Sequence, residues 1–297
     1  MGKNIAQEDF DGTFPFHPHF LQINGFQMHF VDEGSGEPVV CLHGEPTWGY
    51  LYRNFIPPLS QTNRVIVPDH MGFGKSDVPQ DLPYTLEQHV DNLTQLLAEI
   101  GATDVTLVMQ DWGGPIGFSF ATRHPELVKR LVIMNTSVGV AKKTMRLWYQ
   151  DMVDNGSFDD LFDNMQVFIP QMMLGTIRRK MDKDEKKLLK KAYTAPFPDK
   201  ESCKGAKAFP LDIPSGDDHP TAPYMQETRD KLDILQNTPK ILIWGMQDPI
   251  FPPKIIEFWR RIYPELEVFE IAEAGHFLQE DAPERIVGII QEFLQRS

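Results

Sequence analysis

Short apolar runs rich in β-branched residues recur along the chain and alternate with longer stretches whose apolar residues fall at helical spacing. Gln27–Asp32, Pro38–Leu42, Arg64–Pro68, Val105–Met109, Leu131–Met134, Lys240–Trp244 and Leu266–Ile271 read as strands. Leu86–Ile100 reads as a helix because Leu93, Leu96, Leu97 and Ile100 line one face. Pro115–Arg123, Pro253–Ile262 and Pro283–Gln295 read the same way. Each opens near a proline, whose missing N–H is harmless in a first helical turn. Strands alternating with helices predict the α/β class, with a mostly parallel central sheet flanked by helices. No internal repeat is visible.

The alternation lapses between about Ser137 and Asp233. Helical segments are expected there at Lys142–Val153, Asp160–Met173 and Asp182–Ala192, with turn-prone sequence at Ala192–Asp199 and Ile213–Pro223. The stretch is expected to be a helical cap, residues 137–233, inserted after the sixth strand into a core formed by residues 1–136 and 234–297. Met172 and Met173 read as core filler, a common use of methionine.

Charge and composition narrow the partners. A formal net charge of −13 repels nucleic acid and anionic membrane alike, so neither is expected. Cys41 lies in an apolar run and Cys203 in a polar one; two such cysteines build neither a disulfide framework nor a metal site. Gly72-Phe73-Gly74 is too short for a dinucleotide fingerprint, so no metal or organic cofactor is expected. The N-terminal stretch has no signal-like apolar core, and no apolar run is long enough to span a bilayer. The expectation is a soluble cytoplasmic protein, monomeric by default, with a small organic substrate.

The sharpest chemical signal is Val105–Phe120, VTLVMQDWGGPIGFSF. A strand runs through Gln110-Asp111-Trp112-Gly113-Gly114 straight into a helix, the layout of a nucleophile elbow with Asp111 in place of serine. The plainer alternative is that Asp111 caps the helix. A carboxylate is already ionised at neutral pH and can displace a leaving group from saturated carbon, giving an enzyme ester. Hydrolysis of that ester needs a base. Of nine histidines, His276 follows the last strand, in the AGHF segment, and is the best candidate. His17, His19, His29, His89, His124 and His219 read as surface or packing residues, and His43 as structural.

An acid that orients the base is expected between Asp111 and His276 in chain order. Asp248, in the loop after the Lys240–Trp244 strand, fits better than Asn135, which is uncharged at the alternative site. His43-Gly44-Glu45-Pro46 follows an early strand, where one oxyanion-hole N–H usually arises. The expected donors are therefore the backbone N–H groups of Glu45 and Trp112.

Taken together, HGEPTWGYLYR, PDHMGFGKSD, TLVMQDWGG, RLVIMN, AYTAPFPD, GMQD and AGHF make the chain resemble the haloalkane dehalogenases of the α/β-hydrolase superfamily. The match covers most of the chain. The resemblance implies the α/β-hydrolase fold, with Asp111 as nucleophile, His276 as base and Asp248 as third member. It further implies Trp112 as one of two halide-binding residues, haloalkanes as substrates and a halide ion as product. In this subfamily the second halide donor is a cap tryptophan; ungapped counting places Phe162 there, and phenylalanine has no N–H. Trp148, Asn164 and Gln166 are the substitutes to consider. Epoxide hydrolases and β-lactone decarboxylases look similar. An epoxide hydrolase would need an acid, for which Tyr149, Tyr193 and Tyr224 are candidates. A non-catalytic ligand-binding homologue is the remaining alternative.

Overall fold

The computed structural model describes residues 5–142, 147 and 149–296. Among them, eight strands form one sheet: β1 (His19–Ile23), β2 (Phe26–Gly34), β3 (Pro38–Leu42), β4 (Arg64–Pro68), β5 (Val105–Gln110), β6 (Val128–Met134), β7 (Lys240–Gly245) and β8 (Glu267–Ile271). Their order is β1-β2-β4-β3-β5-β6-β7-β8. β1 and β2 pair antiparallel, as do β2 and β4; every other pairing is parallel. The expected α/β-hydrolase architecture is what the chain adopts. β1 escaped the sequence pattern because it is an edge strand with one neighbour and little buried surface. Counting it, Val128–Met134 is the sixth strand.

The inner strands are mostly apolar because helices cover both faces, with Thr106 and Gln110 as buried polar exceptions in β5. Helix Leu86–Glu99 is capped by Thr85, whose hydroxyl accepts the Gln88 N–H, and buries Leu86, Val90, Leu93, Leu96 and Leu97. The helix after β5 spans Gly113–Arg123, and the last spans Pro283–Arg296. Pro253–Ile255 is a 3₁₀ turn leading into helix Ile256–Ile262.

The inserted segment is more broken than expected. Asp160–Met173 divides into helices Phe158–Phe162 and Met165–Phe168 and a π-type turn at Ile169–Met173. Asn164 leaves helical geometry at φ −126°. Pro170 has no N–H to donate, and the next turn closes through Leu174 N–H to Ile169 O. Met173 is core, but Met172 is exposed. Of Lys142–Val153, helix Gln150–Asp154 covers the end, whereas 143–146 and Trp148 lie outside the described residues. Helix Lys183–Thr194 opens on Asp182, which accepts the Glu185 N–H. Two further helices, Lys204–Leu211 and Ala222–Asp230, were not anticipated.

Trp48 and Glu280 are among the residues that tie this segment to the sheet core. Trp48 Nε1 donates to Ala192 O at 3.1 Å. Glu280, fully buried, accepts from Arg53 at 2.5 and 2.9 Å and from the Tyr193 hydroxyl at 2.5 Å. The loops beyond β3, β5, β6, β7 and β8 all leave the carboxyl edge of the sheet, where ligands bind in open α/β sheets.

Candidate active site

At the end of β5 the backbone turns sharply, with Asp111 at φ 51° in the left-handed region that side chains disfavour. Local contacts hold this strain. Asp111 N–H donates to Asn135 O at 3.2 Å, and Thr136 Oγ1 donates to Asp111 O at 2.6 Å. The turn needs close approaches that only glycine permits. A Cβ on Gly44 would lie 2.1 Å from Asp111 Oδ1, and one on Gly114 would lie 1.9 Å from Thr136 Oγ1. The helix itself is entered through Trp112 without a side-chain cap, so Asp111 does not serve as a conventional N-cap. Its carboxylate instead accepts the Glu45 N–H at 2.7 Å and the Trp112 N–H. These are the two backbone donors expected at the oxyanion hole.

His276 Nε2 lies 3.6 Å from Asp111 Oδ2, and Nδ1 lies 2.9 Å from Asp248 Oδ2. The three residues proposed from the sequence therefore converge, from loops after three different strands. Asp248 Oδ1 accepts the Ile250 and Phe251 N–H groups at 2.7 and 3.0 Å. Asn135 is not an alternative acid but a partner of Asp248. Its Nδ2 donates to Asp248 Oδ2 at 2.7 Å, while its Oδ1 accepts the Gly245 N–H at 2.7 Å. Gln110, which the sequence reading passed over, places its Nε2 3.2 Å from both His276 Nε2 and His276 O. Its only signal in the sequence is an amide at the end of an apolar strand.

Burial shapes the charges. It pushes the Asp111 carboxyl above the usual carboxylate range, against the pull of His276 and the two backbone N–H groups. Burial alone would lower His276, but the Asp248 carboxylate, with a smaller contribution from Asp111, lifts it above an ordinary histidine. Asp248 is held low because His276 and its hydrogen bonds outweigh desolvation.

His43 is structural, as expected. Its Nδ1 donates to Gly44 O at 3.0 Å and its Nε2 accepts the His70 N–H at 3.0 Å, fixing the loop that carries Glu45. Buried Asp69 anchors the same region, accepting from Gly49 N, Lys75 N and His29 Nδ1, each at 2.7 Å.

A family model described as the alpha/beta hydrolase fold matches residues 37–283. A cis-3-alkyl-4-alkyloxetan-2-one decarboxylase from Shewanella oneidensis is 34% identical over 295 residues, covering 96% of this chain and 90% of the relative. A haloalkane dehalogenase from Mycolicibacterium paratuberculosis is 33% identical over 282 residues, covering 90% and 89%. The chain belongs to the α/β-hydrolase family. Within that family it is haloalkane dehalogenase-like. The tetrameric structure of a haloalkane dehalogenase from Paraglaciecola agarilytica superposes with a TM-score of 0.83 at 28% identity, covering all of this chain and 98% of that one.

In this α/β-hydrolase the tryptophans are not equivalent. Trp48, Trp244 and Trp259 donate their indole N–H to the carbonyls of Ala192, Phe251 and Thr136. Among the described residues, no acceptor meets the indole N–H of Trp112, although its ring is buried. Phe209, on the inserted helix Lys204–Leu211, stacks on that ring at 4.7 Å with planes 10° apart. Phe73 in turn stacks on Phe209 at 4.8 Å. No sequence signal marked Phe209.

Phe162 is fully buried, with its ring 4.3 Å from Phe158 and 4.6 Å from Phe168. The proposed substitutes fare poorly. Asn164 and Gln166 are on the exposed side of the segment, and the Gln166 amide faces the carbonyls of Thr194 and Phe197. Trp148 is outside the described residues. Among the tyrosines, Tyr193 donates to Glu280 and Tyr224 lies under the Arg123 guanidinium at 3.9 Å. Tyr149 packs at 6.0 Å from Phe158. Among the described residues no group of three or more His, Cys, Asp or Glu side chains is arranged to hold a metal. No described helix is long and apolar enough to cross a membrane.

Proposed function

We propose that the chain hydrolyses haloalkanes to an alcohol and a halide through an alkyl ester on Asp111. The observation that carries this reading is the unengaged indole N–H of Trp112 immediately after the nucleophile. An N–H on a largely buried ring, with no acceptor among the described residues, fits a site that receives an anion during the reaction. Asp111 attacks the carbon, a C–O bond forms, and the C–halogen electron pair leaves with the halide beside Trp112. His276, oriented through Nδ1 by Asp248, then takes a proton from water that attacks the ester carbonyl. The Glu45 and Trp112 N–H groups hold the carboxyl oxygen on which negative charge develops. Alcohol departs, Asp111 is restored, and the proton passes from His276 to solvent.

A second reading has specific support. A relative at 34% identity carries the name of an oxetan-2-one decarboxylase, and Phe162 lacks the N–H that a second halide donor at that position would supply. Opening of an oxetan-2-one by Asp111 would release a carboxylate where the first reading releases a halide. The epoxide reading has less: Tyr193 is already committed to Glu280. A panel of 1-chloro-, 1-bromo- and 1,2-dihaloalkanes, terminal epoxides and cis-3,4-dialkyloxetan-2-ones decides among them. We expect halide and proton release from bromoalkanes. Carbon dioxide release from oxetanones, with no halide from any haloalkane, would establish the second reading. Failure of the whole panel to label Asp111 would leave a binding protein.

A further inference from the structure

We propose that the Gln110 carboxamide is a positioning residue for His276, aiming an N–H at ring Nε2 so that this lone pair is kept available for a proton from water. The inference rests on the reading of His276 as the base of the proposed function. Gln110 ends β5, immediately before Asp111, and is fully buried. Its Nε2 lies 3.2 Å from His276 Nε2 and 3.2 Å from His276 O. A peptide carbonyl oxygen only accepts, so the end of the amide turned toward His276 must be the NH2 and not the C=O. The other end, Oε1, is buried and has no hydrogen-bond partner among the described residues. Native structures rarely leave such an acceptor unsatisfied without a functional reason. Here the residue leaves Oε1 unpaired while both amide N–H groups face the histidine.

An N–H can donate to Nε2 only while that nitrogen carries no proton; against Nε2–H, donor would meet donor. A hydrogen bond to the neutral form of a group favours that form. Nδ1 faces Asp248 at 2.9 Å and keeps its own N–H there, so the tautomer selected is the one a base needs. The carboxylates around the ring act in the opposite direction. Asp248 and Asp111 both favour the imidazolium, and Glu45 stands beyond Asp111, bonded to it through its N–H. On the far side of Gly275, Asp281 and the Arg178 guanidinium are of opposite sign. Phe251 and Phe277 pack against the ring without charge. Gln110 therefore opposes the shift that the two carboxylates impose. At 3.2 Å its contact with Nε2 is at the long end of the normal range, so water can replace it there while His276 O still holds the amide. Once Nε2 has taken the proton from water, the same N–H faces Nε2–H and favours loss of that proton to solvent.

The test is Gln110→Met, which is similar in length and has no N–H to donate. NMR of the 15N-labelled resting enzyme follows the His276 ring nitrogens against pH. Removing a donor to the neutral form favours the imidazolium, so the His276 midpoint should rise by about 0.5–1 pH unit. The acid limb of single-turnover hydrolysis of the Asp111 ester should move to higher pH by a similar amount. A residue that only fills space would, when replaced, slow hydrolysis at every pH and leave both midpoints where they were. That result overturns the proposal, as does a midpoint that falls.

A second readout uses the wild type alone and stands even if the Met variant does not fold. The side-chain amide resonances of Gln110 should titrate with the same midpoint as the His276 ring, because protonation of Nε2 breaks the hydrogen bond they report. Amide resonances that stay fixed through the His276 titration overturn the proposal. If no member of the substrate panel labels Asp111, the assigned function fails, while the titration of the resting enzyme still judges Gln110.

Discussion

His276 sits between two carboxylates, and only one of them keeps its charge through the proposed cycle. In the resting enzyme Asp248 and Asp111 both lift the imidazole. Ester formation would neutralise Asp111 and remove its contribution, so His276 should lose its proton more readily in the alkyl-enzyme, the state that needs a free base. The acid limb of single-turnover ester hydrolysis should therefore lie at lower pH than the NMR titration of His276 in the resting enzyme. A limb at or above the resting value would contradict this sequence of charges. His276→Phe should still release one equivalent of bromide, because displacement needs no base. It should slow ester hydrolysis by about 100-fold or more, leaving an adduct on Asp111 visible by mass spectrometry. Unmodified protein with no bromide released would sink the two-step assignment.

The elbow is an element whose geometry depends on small residues at close approaches. Gly114 abuts Thr136, which also bonds the Asp111 carbonyl. Gly114→Ala should destabilise the protein by about 1–3 kcal/mol through overpacking and displace the nucleophile. Gly288, within helix Pro283–Arg296, has open space where a Cβ would point. Gly288→Ala should act with the opposite sign, stabilising by about 1 kcal/mol, since glycine is a poor helix former. Thermal denaturation of the pair checks both. A Gly114→Ala melting point as high as that of wild type would show that the turn tolerates a side chain.

Across the whole molecule, one of the buried junctions between the inserted segment and the sheet core is Glu280, where Arg53 and Tyr193 meet. Burial would raise this carboxyl, but Arg53, Tyr193 and Arg179 hold it below the ordinary range. A depressed folded-state value means that its stabilisation is complete above the ordinary glutamate range. It is lost as pH falls through the lowered value. Glu280→Ala leaves Arg53 buried without its partner and should cost about 3–5 kcal/mol, read from urea denaturation at neutral pH. The loss should shrink as the pH is lowered, because wild type then loses the same contact. A loss that does not change with pH would mean that packing, and not charge, holds the Glu280 junction.

The strands, the elbow and the three residues that meet at its tip were legible in the sequence because each rests on local information. Asp111 is marked by the run of small residues behind it, and His276 and Asp248 by following apolar strands. The edge strand β1 and the broken helices around Asn164 and Pro170 were less legible, since a short or interrupted segment carries little periodicity. What only the tertiary structure decided is which polar groups are left without partners. Asn135 reaches Asp248 and Gln110 reaches His276 across more than 100 residues of chain. Phe209 comes from the inserted segment to cover Trp112. The partnerless carboxyl oxygens of Glu45 and the unengaged N–H of Trp112 follow from which neighbours surround them. Neither property belongs to any one stretch of sequence, because hydrogen-bond satisfaction and desolvation exist only once distant segments have packed.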